Sequence, residues 1–174
     1  MKKILFAAII GIIGCTGCNQ NEASTANEKE QQNLEAARKV AKAFETGEVS
    51  AIDSVVADDF LDHTDRGDKR GRDSLKAMIN FVRTNFKDTK METLREVADE
   101  DYTYQWMRYT GTSDGTMGMP AGPYDMHAME ITKFRDGKAV EHWAYVDAAE
   151  MMKMMGGGSP PAADTSKVKM DTTK

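Results

Sequence analysis

Apolar positions change their spacing along this chain, and the changes mark out its elements. Leu34, Ala37, Ala41 and Phe44 recur at intervals of three and four ahead of Thr46-Gly47, which predicts a helix with one apolar stripe and a glycine stop. Asn27 and Glu30 are placed to cap its start. Val49, Ile52, Val55 and Val56 predict a second, short helix that leads into Asp58-Asp59-Phe60-Leu61. Leu75, Met78, Ile79, Val82 and Phe86 share one face of a third, with Asp73 near its start, where the helix dipole favours negative charge. From Lys90 the period becomes two. Residues 91–97, 102–110, 124–134 and 139–146 alternate as strands do; in the second of them Tyr102, Tyr104 and Trp106 take one face, Met107 and Tyr109 the other. Asp136-Gly137, a pair that tolerates positive φ, closes the last two strands into a hairpin. A final helix is expected over residues 148–155, stopping at Gly156. Helices first and strands afterwards indicate an α+β domain, not alternating βαβ units.

The two ends of the chain carry a different pattern. Met1-Lys2-Lys3 is a short basic head, and the apolar run Ile4 to Ile13 stops at Gly14-Cys15-Thr16-Gly17-Cys18. So short a run cannot cross a hydrocarbon core of about 30 Å, which takes about 20 helical residues, so it reads as a signal segment. Ending at Cys, it looks like a bacterial lipoprotein signal. Cys15 has the more typical aliphatic residues before it, whereas Cys18 gives the more usual signal length and leaves no free thiol. Residues 1–18 are therefore expected to be a signal with its lipidation Cys, and the protein is expected in the cell envelope, lipid-anchored and facing the periplasm or the cell surface. Residues 19–32 contain no large apolar side chain and are expected to be a solvated tether; residues 157–174 are similarly poor in core formers and read as a disordered tail. One domain, residues 33–156, remains. With no Cys after Cys18, it has no disulfide framework and no thiolate chemistry. The formal charge of −5 becomes more negative once Lys2 and Lys3 leave, and no Lys/Arg cluster suggests a nucleic-acid partner.

The stretch 109–147, YTGTSDGTMGMPAGPYDMHAMEITKFRDGKAVEHWAYVD, gathers His127, Glu130, Glu141, His142 and Asp147. With its Gly-Thr pair, Gly/Pro/Met loop, Asp-Gly-Lys turn and Glu-His-Trp strand, it resembles the SnoaL-like polyketide cyclase family of the nuclear transport factor 2-like superfamily. The resemblance covers residues 34–156 and implies a cone-shaped, strongly curved mixed or antiparallel sheet wrapped around the N-terminal helices, with one open mouth. Asp62-His63 stands where the family has a short Asp-His motif ahead of its third helix. Ala121-Gly122-Pro123 replaces the family's Pro-Thr-Gly-Lys rim pattern, so rim contacts made by that Thr and Lys have no counterpart here.

In this family a His and an acid on the last long strands are thought to perform an aldol-type ring closure, which implies His127 with Glu141 or Asp147 as general acid and base, and His63 as auxiliary. Whether His127 and Glu141 cooperate depends on hairpin register. A two-residue turn would put His127 on a face with His142 and Val146; a bulged turn would put it with Glu141, Trp143, Tyr145 and Asp147, and gathers the polar groups. The bulged form is expected. Blander roles compete: Asp62-His63 fixing a loop, His142 pointing to solvent, and Asp147 capping the last helix. His63, His127 and His142 lie on separate elements without ligand-type spacing, so no metal is expected, nor any cofactor. Thirteen Met are many for this length. They suit an apolar cavity that accepts awkward shapes, lined by Trp106, Met117, Met119, Met129, Trp143 and Tyr145. The expected function is a cofactor-free cyclase, isomerase or hydrolase-like enzyme acting on a small hydrophobic, carbonyl-containing molecule, with a homodimer as its assembly. The alternatives are a non-catalytic module for a small hydrophobic ligand and a dimerising accessory domain of the envelope.

Overall fold

The computed structural model describes residues 20–154; the expected signal segment and tail lie outside them. Helix α1 (Gln20–Thr46) is followed by a 3-10 turn (Val49–Ile52), strands β1 (Val56–His63) and β2 (Lys69–Arg70), helix α2 (Arg72–Asn85), strands β3 (Phe86–Ala98), β4 (Tyr102–Ser113), β5 (Gly122–Arg135) and β6 (Lys138–Val146), and helix α3 (Ala148–Met154). The six strands form one sheet in the order β2-β1-β6-β5-β4-β3. Every pairing is antiparallel except β1 with β6, which is parallel, so the sheet is mixed.

Helices α1 and α2 pack on one face of this sheet. Ala36, Ala37 and Ala43 of α1 and Leu75 and Ile79 of α2 meet Val56, Phe60, Phe134 and Ala139 in a common core. Small residues on α1 let the helix lie close to its neighbours. Asn33 is almost fully buried, and its amide donates to the Glu100 carbonyl at 3.0 Å, pinning α1 to the β3–β4 turn.

Three elements differ from the sequence expectation. Residues 56–63 form a strand where a short helix was expected to run on to Val56. Their apolar residues are sparse, and it is pairing with β6 that makes the strand, a long-range contact invisible to local periodicity. The second difference is α1, which begins at Gln20 where a tether was expected. Residues 27–32 bury little, but Glu, Gln and Lys are good helix formers, and they extend a helix already nucleated by its packed half. Asn27 and Glu30 therefore lie inside the helix and do not cap it. Third, β3 starts directly at Phe86, the residue that closes α2.

The hairpin has the two-residue turn and not the bulged turn that was expected; the bulge lies further along, within β6. Asp136 (φ 53°) and Gly137 (φ 70°) make a two-residue turn closed by Arg135 opposite Lys138. The register then slips between Lys133 and Phe134, because Val140 is an extra residue on β6, and beyond it Lys133 faces Glu141, Ile131 faces Trp143 and Met129 faces Tyr145. This bulge decides which side chains face the helices.

Candidate functional site

A cavity of about 520 Å³ opens between the helices and the concave face of the sheet, within the usual range for small-molecule sites. Even-numbered residues of β5 from Met126 to Thr132 and of β6 from His142 to Val146 line it, as do Gln105, Met107 and Tyr109 of β4. The side chains at Ala128, Ala139 and Ala144 are short, and their shortness is what leaves the space. Seven lining residues are methionines, among them Met117 and Met119 from the loop between β4 and β5. That loop is held at the mouth by Arg66, whose Nη2 donates to the Met117 carbonyl at 2.9 Å.

One hydrogen-bonded unit of ionisable groups is set into this largely apolar wall. Parallel pairing sets Asp62 of β1 directly beside His142 of β6, and His142 Nδ1 donates to Asp62 Oδ1 at 2.8 Å. The other ring nitrogen, Nε2, donates to Glu130 Oε2 at 2.5 Å. Glu130 Oε1 in turn accepts from the Tyr109 hydroxyl at 2.5 Å. Asp62, His142, Glu130 and Tyr109 thus form a continuous hydrogen-bonded chain across the cavity wall, with all four exposed to it. Only one Asp62 oxygen takes part.

With both carboxylates ionised, the arrangement sets the protonation of the ring. Two acceptors against one imidazole require both nitrogens to carry hydrogen, which makes His142 a cation between two anions. Burial alone would push its pKa down; the hydrogen bonds and charges of Asp62 and Glu130 outweigh burial and raise it from 6.5 to about 10. Burial, reinforced by the Glu130 charge and hydrogen bond, holds the Tyr109 hydroxyl well above its ordinary value, so it stays a neutral donor.

The residues singled out in the sequence divide between the two faces. Met117 and Met119 line the cavity; Trp106, Met129, Trp143 and Tyr145 do not, and neither do His127, Glu141 and His63. His127 does share a face with Glu141, Trp143 and Tyr145, but that face is the outer one. There His127 stacks on Trp106, with ring centroids 5.7 Å apart, and binds Glu150 of α3 through its backbone N–H (2.6 Å) and Nδ1 (2.9 Å). His63 stacks on Trp143 with centroids 4.7 Å apart, and its Nε2 lies 3.3 Å from Glu141. Glu141 is held below the usual carboxylate range, first by Lys133 and then by His63. Asp147 caps α3, its Oδ1 accepting from the backbone N–H groups of Ala149 and Glu150. The expectation that His127 and Glu141 meet in the cavity therefore fails. Large aromatics made the outer face look like the core, whereas the true inner face carries small residues. His142, for which pointing to solvent was the competing reading, faces the cavity. Asp62, Glu130, His142 and Tyr109 were not singled out as the chemical group; the signal available was the run of inward alanines flanking Glu130 and His142.

Among the described residues, no group of three or more His, Cys, Asp or Glu is placed to hold a metal ion, and no helix is long and apolar enough to cross a membrane.

The family model for SnoaL-like polyketide cyclases matches residues 34–155. The chain belongs to this family. A search of curated proteins finds no match. Among solved structures, TsrD of Streptomyces laurentii superposes with a TM-score of 0.65 at 18% identity, covering 74% of this chain and 97% of TsrD. IdmH of Streptomyces antibioticus gives 0.59 at 22% identity, covering 72% and 99%. A Mycobacterium tuberculosis epoxide hydrolase of the LEH-like type gives 0.61 at 13% identity, covering 74% and 93%. At these identities the likeness establishes the nuclear transport factor 2-like, ketosteroid isomerase-like fold of this SnoaL-like domain, and nothing about its chemistry.

The raised His142 pKa links stability to pH. Its stabilising contribution is fully present below the unfolded value of 6.5 and is lost as pH rises through about 10. Thermal melts between pH 6.5 and 10 should show a falling midpoint for the native protein and a flatter profile for His142→Gln.

Proposed function

We propose that this SnoaL-like protein is a cofactor-free enzyme of the cyclase or isomerase type, moving a proton on a small, largely apolar carbonyl compound. One observation carries the reading: a hydrogen-bonded chain of four acid/base groups, Asp62 to Tyr109, is set into a largely apolar cavity wall. Asp62, with one oxygen uncommitted, is the base that takes a proton from the carbon next to the carbonyl. His142 holds Asp62 in place and stabilises its charge until the transfer. The proton returns to a second atom of the substrate from Asp62 itself, without entry of water. The apolar surroundings strengthen each of these interactions.

A second reading is a binding module without turnover. It is favoured by the saturation of the chain, in which both His142 nitrogens and both Glu130 oxygens are already paired.

We place the protein in the cell envelope, held by a lipid on Cys18 or Cys15, as the basic head and the apolar run ending at Cys support. We also propose a homodimer formed through the outer sheet face, where Tyr104, Tyr145 and Val97 remain exposed.

Two experiments test these proposals. Apolar ketones incubated with the protein in D2O should gain deuterium beside the carbonyl, and Asp62→Asn should slow this at least tenfold, about 1.4 kcal/mol of barrier, while the fold is kept. Ketone binding with no exchange in the native protein would favour the binding module. For location, replacing both Cys15 and Cys18 by Ser should abolish lipid labelling and move the protein to the soluble fraction; continued membrane attachment would contradict the anchor.

A further inference from the structure

We infer that the cavity takes an apolar molecule bearing a protonated amine and excludes carboxylates of the same shape. The inference rests on the cavity being the ligand site proposed above; because such an ammonium takes the Asp62 oxygen that proton transfer needs, the amine is a competing occupant of the site and not its substrate.

The charge of the wall carries the argument. Asp62 and Glu130 are two carboxylates against one imidazolium, so the chain is left with one net negative charge. The remaining charged lining residues are Asp65 and Arg66, one of each sign, and no Lys is among them. Arg66, the one guanidinium among the lining residues, is exposed at the mouth, where its Nη2 donates to the Met117 carbonyl. An entering carboxylate would lose its hydration and meet a buried unit that carries net negative charge. An ammonium would lose its hydration too, but it gains a charge-assisted hydrogen bond to the second oxygen of Asp62.

The rest of the wall fits the same ligand. Phe44, Phe60, Phe86 and Tyr124 line the cavity, and aromatic faces attract cations and repel anions. Thioethers around them are polarisable and adapt to the ligand's apolar body. Because the site is screened by protein and not by salt, its preference should persist at physiological ionic strength.

Three rigid probes with one apolar cage separate the contributions: aminoadamantane, adamantanol and adamantanecarboxylate, titrated calorimetrically into the full chain at pH 7. The amine should bind at one site per chain, be displaced by the alcohol, and bind at least tenfold more tightly than either of the others. Asp62→Asn should bring the amine down to the affinity of the alcohol and leave the alcohol unchanged. If the variant does not fold, the ranking in the native protein decides alone. A carboxylate or alcohol within tenfold of the amine, or an amine preference that survives in folded Asp62→Asn, overturns the inference and leaves the exchange experiment standing. Failure of all three probes to bind overturns both the inference and the cavity reading beneath it.

Discussion

An imidazole with a carboxylate at each nitrogen must carry two protons, and the rest of this site follows from that requirement. His142 is positively charged because Asp62 and Glu130 leave it no lone pair to expose. Ionised groups taken out of water cost several kcal/mol each unless paired with good geometry, so the unit exists only where the sheet delivers all three side chains to one spot. The parallel pairing of β1 with β6 supplies Asp62, and the antiparallel pairing of β5 with β6 supplies Glu130. Neither pairing alone would complete it.

The extra residue at Val140 connects topology to chemistry. Without that slip, the inward and outward positions of β6 beyond it would exchange relative to β5. Glu141 and Trp143 would then face the helices, and Ala144, one of the inward alanines that hold the cavity open, would give way to bulk. The cavity is thus a consequence of where small residues fall in the alternation, with α1 and α2 closing the far side through their own core.

Much of this was legible in the chain and some was not. The helix stripes of α1 and α2, the Asp136-Gly137 turn and the Asp147 cap have local causes, and local causes can be read from sequence. The Gly-Thr and Glu-His-Trp segments pointed to the family and hence to the sheet. Strand β1 was missed because its structure comes from pairing with a strand about eighty residues later. The hairpin faces were grouped as the structure has them, but their orientation was reversed. Alternation defines two faces without saying which meets the helices, and Trp106, Trp143 and Tyr145 gave the outer face the larger apolar content. A cavity reads as small residues beside ionisable ones, as at Ala128-Met129-Glu130 and His142-Trp143-Ala144, and looks less like a core than the face behind it.

Family membership places this chain in a fold shared by proteins of unlike activity, an epoxide hydrolase among the structural neighbours. The charge state of the buried unit is therefore more informative than the architecture. Nitrogen chemical shifts of His142, recorded by NMR on histidine-labelled protein at pH 8, test it directly. Two protonated ring nitrogens there, with titration only near pH 10, are the result expected of an imidazolium clasped by Asp62 and Glu130. A neutral ring with one bare nitrogen at pH 8 would contradict the account.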